Sequence, residues 1–246
     1  MSAPKVTAAL LAGACAAAVA AAVAVPAGAA HAGIPAKPRW KSSAPFGAWN
    51  NHGFIVYNNK WNTPVAGPQT IWANSYRDWG VQSKQASTTA VKTYPCVQKD
   101  YPNVRLSSVT RLRSTFTQSM PSASSLDAEA AYDLWLNSYK LEVMVWVDTR
   151  RQRPSGSVIA RIRLDRQRFS VWRSGSSYYA FVLTGRQEKR GTVDLLAALR
   201  WLQGHHHLRG SDTLTQVNFG WEIASTDGRP MDFTVTGYSL ATRLRR

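Results

Sequence analysis

The segment Glu142-Val143-Met144-Val145-Trp146-Val147-Asp148 decides how this chain is read. Successive side chains on a β-strand point to opposite faces. On a strand, Val143, Val145 and Val147 therefore share one face, which suits a core. Glu142, Met144, Trp146 and Asp148 share the other, where carboxylates alternate with a thioether and an indole. That mixture suits the lining of a cleft better than an ordinary wet surface. Gln216-Val217-Asn218-Phe219-Gly220-Trp221-Glu222-Ile223 behaves in the same way. Val217, Phe219, Trp221 and Ile223 form its apolar set, while Gln216, Asn218, Gly220 and Glu222 form the polar one. In Tyr132-Asp133-Leu134-Trp135-Leu136-Asn137, the residues Asp133, Trp135 and Asn137 share a face.

Working outward, strand patterns dominate. They occur at Phe54 to Tyr57, Val104 to Val109, Arg111 to Thr117, Ala131 to Leu136 and Leu141 to Val147. Further ones run from Val158 to Leu164, Phe169 to Arg173, Tyr178 to Leu183, Thr215 to Ile223 and Phe233 to Leu240. Turn residues such as Pro154-Ser155-Gly156, Gly175-Ser176-Ser177 and Asp227-Gly228 separate them. Many short strands with frequent turns predict an all-β sandwich or barrel. One segment, Thr192 to Leu202, has helical spacing, with Gly191-Thr192 to cap it and Gly204 to end it.

The N-terminus is set aside from the fold. Lys5 precedes an uncharged, alanine-rich run from Val6 to Val25, then Pro26, Gly28 and the small-x-small site Ala30-His31-Ala32. This order predicts a cleaved secretory signal over residues 1–32, in preference to a membrane anchor. Removing it leaves 246 − 32 = 214 residues. They divide into a short Pro/Lys/Ser-rich flexible arm (33–44) and a single domain (45–246). The mature part is expected to be extracellular, monomeric and without a transmembrane anchor. It keeps one cysteine, Cys96, so it has no internal disulfide, and burial of that thiol as a small hydrophobe is the simpler expectation.

The chain carries 30 basic and 14 acidic side chains, a net charge of +16. The arginines are spread along the sequence and form no recognisable nucleic-acid module. A solvated or weakly adhesive surface is expected, with no specific nucleic-acid partner. Three consecutive histidines, His205 to His207, cannot all face one ion from a regular element, and no acidic or cysteine cluster adjoins them, so no metal is expected there. The chain lacks a Gly-x-Ser-x-Gly elbow and the βα alternation that such a hydrolase needs.

With carboxylates this scarce, two glutamates held mid-strand stand out. Glycoside hydrolysis needs two carboxyls flanking the scissile bond, one to donate a proton and one to attack or to activate water. Rigid strands hold such groups in place. Aromatic side chains pack on the apolar faces of sugars, and Trp61, Trp72, Trp79, Trp135 and Trp146 lie beside polar residues.

From about Tyr57 to Tyr238 the chain resembles the secreted endoglucanases of glycoside hydrolase family 12. The resemblance rests on Tyr57-Asn58-Asn59-Lys60-Trp61, Thr93-Tyr94-Pro95, Tyr132-Asp133-Leu134-Trp135-Leu136, Phe219-Gly220-Trp221-Glu222 and, most specifically, Glu142-Val143-Met144-Val145-Trp146. It implies a β-jelly roll of two antiparallel sheets, with a concave substrate cleft and one packed helix. It also implies a retaining endo-β-1,4-glucanase acting on cellulose, mixed-linkage glucan or xyloglucan, without metal or organic cofactor. Glu142 would be the nucleophile, Glu222 the acid/base, and Asp133 the residue that tunes the nucleophile. Asn59, Trp61, Met144 and Trp146 would contact substrate. In retaining enzymes the two carboxyls lie about 5–5.5 Å apart. The short link between Asp133 and Glu142 implies a trimmed loop on the cleft rim. The alternative is a carbohydrate-binding protein on the same scaffold that no longer turns over substrate.

Overall fold

The computed structural model describes residues 33–245, so the signal segment read at residues 1–32 lies outside the described residues. The strands are β1 (Trp40–Ser42), β2 (Ala48–Asn51), β3 (Phe54–Tyr57), β4 (Gln69–Ser75), β5 (Asp78–Ser83), β6 (Cys96–Arg105), β7 (Val109–Ser119) and β8 (Asp127–Leu136). They continue with β9 (Leu141–Arg150), β10 (Ser157–Leu164), β11 (Gln167–Ser174), β12 (Tyr178–Thr184), β13 (Arg190–Asp194), β14 (Thr213–Ser225) and β15 (Met231–Leu244). The helix α1 (Leu195–Gly204) lies between β13 and β14.

Two sheets stack face to face. One has the order β1-β4-β5-β15-β7-β13, the other β10-β11-β12-β9-β8-β14-β6-β3-β2. The apolar sets read from alternation fill the space between them. Val143, Val145, Val217, Phe219, Trp221 and Ile223 are all buried in one cluster with Trp79, Phe116 and Phe233. Removing each such side chain from water contributes about 1.5–3 kcal/mol. Trp221 anchors the joint between the sheets, its ring 5.0 Å from Trp79 and 5.6 Å from Phe233. The other face of the nine-stranded sheet, the cleft side of the jelly roll expected from the sequence, carries Glu142, Met144 and Trp146.

Among the described residues this is the β-jelly roll with one helix that the sequence reading anticipated, with local corrections. Trp40–Ser42, inside the segment read as an arm, forms the edge strand β1 on β4. β4 and β5 escaped notice because Gln69, Asn74, Gln82 and Ser83 dilute their pattern. Leu106–Ser108, read as strand, is a 3-10 turn between β6 and β7. Thr192 is not helical: residues 190–194 pair with β7, and the helix begins only after Asp194, whose carboxylate accepts from the Ala197 N–H at 3.0 Å. Gly204 closes the helix as its last residue. The sheets are antiparallel except that β12 runs parallel to β9.

Asp148 is also corrected. A bulge between Ala130 and Ala131 in the β8–β9 ladder places Asp148 opposite Ala130, a core residue. An extra residue in one strand reverses the faces beyond it. Asp148 therefore leaves the face of Glu142, Met144 and Trp146. It is buried, accepts from Gln118 at 3.2 Å and pairs with Arg150 at 2.5 Å.

Candidate active site

The cleft face is built from rows of residues that stand opposite one another across the strands. One row places Glu142 of β9 between Trp135 of β8 and Tyr178 of β12. The next runs Asn218, Asp133, Met144, Ala180, Trp172. Another runs Gly220, Ala131, Trp146, Val182, Ser170. Glu222 stands opposite Glu129. Met144, Trp146, Ala131 and Ala180 form a small apolar floor, with Trp172, Tyr178 and Val182 packed against it. The sulfur of Met144 accepts two weak hydrogen bonds, from the Trp146 indole and the Tyr178 hydroxyl, each at 3.4 Å.

Tyr178 ties the site together. Its phenol is pushed well above the ordinary range, first by burial and then by the negative charges of Glu142, Glu222, Glu129 and Asp133. Both glutamates singled out in the sequence thus act on one hydroxyl. Tyr94 feels Asp133, Glu222 and Glu129 in the same way, after a larger effect of burial, and its hydroxyl donates to the Ala131 carbonyl at 3.0 Å.

Asp133 is 5% exposed, and its carboxyl is raised well above the usual carboxylate range. Burial is the main cause and the charge of Glu222 the second, while the Trp135 and Asn218 side chains act in the opposite direction. A carboxyl held in this way favours the protonated form, which can donate a hydrogen bond. A polar relay leads away from it. Asn218 donates to Gln216 at 2.8 Å, and Gln216 donates to Asp100 at 2.7 Å.

Asn59 and Trp61 sit on the loop after β3, both half-buried. The Asn59 carbonyl accepts from the Tyr94 N–H and the Thr93 hydroxyl, each at 3.0 Å, and its side-chain Oδ1 is buried without a hydrogen bond. Thr93 bridges to Ile223, the residue after Glu222, so this loop is fastened to the strand that carries Glu222. Lys92 secures the same junction by donating to the carbonyls of Ala86 and Ala224 and to the Thr88 hydroxyl. The neighbouring Asn58 is structural. It is fully buried and accepts from Gln69 through both its backbone and side-chain oxygens.

Trp72 and Trp79 do not join the cleft, because they are buried in β4 and β5 of the other sheet. The sequence reading overlooked Glu129 because it began that strand at Ala131. Extending the two-residue period back from Asp133 would have placed Glu129 on the cleft face. Tyr178 and Trp172 had no local signal. Among the described residues no group of His, Cys, Asp or Glu could hold a metal ion. The link between β8 and β9 is a tight turn, with Leu136 paired to Leu141 and positive φ at Asn137, Ser138 and Tyr139.

Comparison with known proteins places this face in context. At 24% identity the chain is similar to the inactive glycoside hydrolase XLP1 of Phytophthora nicotianae, over 76% of this chain and 86% of that protein. The xyloglucanase domain of NopAA from Sinorhizobium fredii, solved in complex with cellobiose, superposes with a TM-score of 0.72 at 25% identity, covering 84% of this chain and all (100%) of that one. A family 12 xyloglucanase from Bacillus licheniformis superposes with a TM-score of 0.73 at 21% identity, over 83% of this chain and 100% of that one. Residues 52–242 match glycosyl hydrolase family 12, and the chain belongs to that family.

Proposed function

We propose that this protein is a secreted, retaining endo-β-1,4-glucanase that cleaves β-glucan chains lying across the nine-stranded sheet. The observation that carries the reading is that Glu142 and Glu222 share one face of the nine-stranded sheet, on the two strands that flank β8 and its Asp133. In this reading Glu142 attacks the anomeric carbon and forms a glycosyl-enzyme, while Glu222 donates its proton to the departing glycosidic oxygen. Glu222 then takes a proton from water as that water attacks the same carbon and releases Glu142. Asp133, favoured in its protonated form, is the positioning residue for the nucleophile and would donate a hydrogen bond to a neighbouring carboxylate. Met144 and Trp146 form the floor under the scissile bond. Trp61 stacks on a glucosyl ring farther along the chain, with Asn59 on the same loop beside it. None of these steps calls on a metal.

A second reading has a specific basis, since one relative is named as inactive. In that case the same face would bind glycan without cleaving it. Retention of Glu142, Glu222 and Asp133 on adjoining strands favours the enzyme.

The test is reducing-sugar release from mixed-linkage β-glucan, xyloglucan and carboxymethylcellulose by the mature chain, beside Glu142→Gln and Glu222→Gln. The parent should act on at least one polymer, and each variant should lose roughly 10^4-fold or more in turnover. A folded parent that binds these polymers but releases nothing from any of them would establish the binding protein instead.

A further inference from the structure

The cleft face does not stop at the apolar floor. The row from Gly220 through Ala131, Trp146, Val182 and Ser170 ends on Arg161 of the edge strand β10. One step along the strands, Arg163 stands opposite Arg168, which in turn stands opposite Thr184. Because residues directly opposite one another share a face, Arg161, Arg163 and Arg168 lie on the same side of the sheet as Trp146 and Trp172. The bulge between Val158 and Ala160 sets this phase, since it turns Arg161 toward the cleft face. All three arginines are exposed, and among the described residues none forms an ion pair. The nearest acid in the chain, Asp165 in the β10–β11 turn, is drawn to Arg113 of the other sheet at 3.8 Å.

From Trp146 to Arg161 is three strand spacings, about 14 Å at about 4.8 Å each. A glycan crossing the strands over Trp146 would reach the arginines within a few sugar units. Guanidinium groups fit carboxylates with paired hydrogen bonds and keep their charge at any physiological pH.

We infer that the β10–β11 flank of the cleft is a binding site for anionic groups on the glycan, with Arg161, Arg163 and Arg168 receiving carboxylates carried by a substituted β-linked chain. This rests on the proposed function for the identity of the backbone polymer. It adds that the preferred substrate bears acidic substituents.

The affinity of the mature chain for carboxymethylcellulose and for neutral hydroxyethylcellulose tests it, measured by calorimetry in a Glu142→Gln background so that the polymers stay intact. Carboxymethylcellulose should bind about tenfold more tightly, as expected for three exposed ion pairs together, and the excess should vanish at high salt. The combined R161Q, R163Q and R168Q variant should lose that excess. A control of equal charge change, R111Q, R200Q and R243Q on the other sheet and the helix, should keep it. The inference is overturned if the excess survives in the flank variant, if the control loses it equally, or if polyglutamate binds as tightly as carboxymethylcellulose. Failure of the active chain to cleave any glucan overturns the catalytic reading and leaves this binding readout intact.

Discussion

Asp133 and Asn218 stand directly opposite each other in the β8–β14 ladder, and the Asn218 amide passes its own hydrogen bond on to Gln216. This pairing sets a buried acid among neutral polar groups, beside the charge of Glu222. The native state therefore holds the Asp133 proton to higher pH than the unfolded chain does. Below the unfolded carboxylate range both states are protonated and nothing is lost. As pH rises through the raised native value, the unfolded state releases its proton first and stability falls. Asp133→Asn removes this dependence. It should raise the melting temperature at neutral pH, and the gap from the parent should close toward pH 3. Thermal denaturation across pH 3–8 measures both, and a variant less stable than the parent at neutral pH would refute the account.

Tyr178 offers its hydroxyl to the Met144 sulfur while four carboxylates act on it. Tyr178→Phe keeps the ring that packs on the floor and deletes only the oxygen. Turnover on β-glucan should fall about tenfold with little change in KM, because the variant removes the hydroxyl that lies within the field of both Glu142 and Glu222. A change confined to KM would make Tyr178 a substrate contact instead.

Gly220 lies where β14 passes the Pro95–Cys96 backbone. A Cβ at this position would meet the Pro95 carbonyl oxygen at 2.0 Å and the Cys96 Cα at 2.8 Å, and Trp221 N–H donates to that same carbonyl at 3.2 Å. Gly220→Ala must push two backbones apart two residues from Glu222. It should cost about 3 kcal/mol, or about 10 °C in melting temperature, and lower activity as well. Denaturant melts check the first, and an unchanged midpoint would show that the strands can separate freely.

Cys96 is 1% exposed, and its thiol is raised well above the ordinary range by burial first, then by the charges of Asp133 and Asp100. A buried thiol that resists ionisation is a poor nucleophile. A disulfide-exchange reagent should leave the folded mature chain untouched at pH 8 and titrate one thiol on unfolding. Rapid labelling of the native protein would place Cys96 at the surface.

How much of this was legible beforehand differs from residue to residue. The alternation at 142–147 and 216–223 was read with the correct faces, because a strand's two-residue period is a property of the local backbone. The same logic failed at Asp148, where the face is set by a bulge between two strands and cannot be seen in one. The helix was found from its spacing, but its start moved from Thr192 to Leu195 because residues 190–194 found a partner in β7. Trp72 and Trp79 looked no different in sequence from Trp146, yet they lie buried in the opposite sheet.

By itself, the sequence determined which residues of 142–147 and 216–223 face the core and which face away from it, and its motifs singled out Glu142, Glu222 and Asp133. Tertiary structure alone decided which of those cleft-facing residues became neighbours. Glu129 reached Glu222 through the β8–β14 ladder, Tyr178 reached Glu142 through the parallel β12–β9 pair, and three arginines were carried to the end of the cleft by β10 and β11. The physical reason is that side-chain alternation is fixed by local backbone sterics. Strand order and register are chosen by burying apolar faces that lie far apart in the chain.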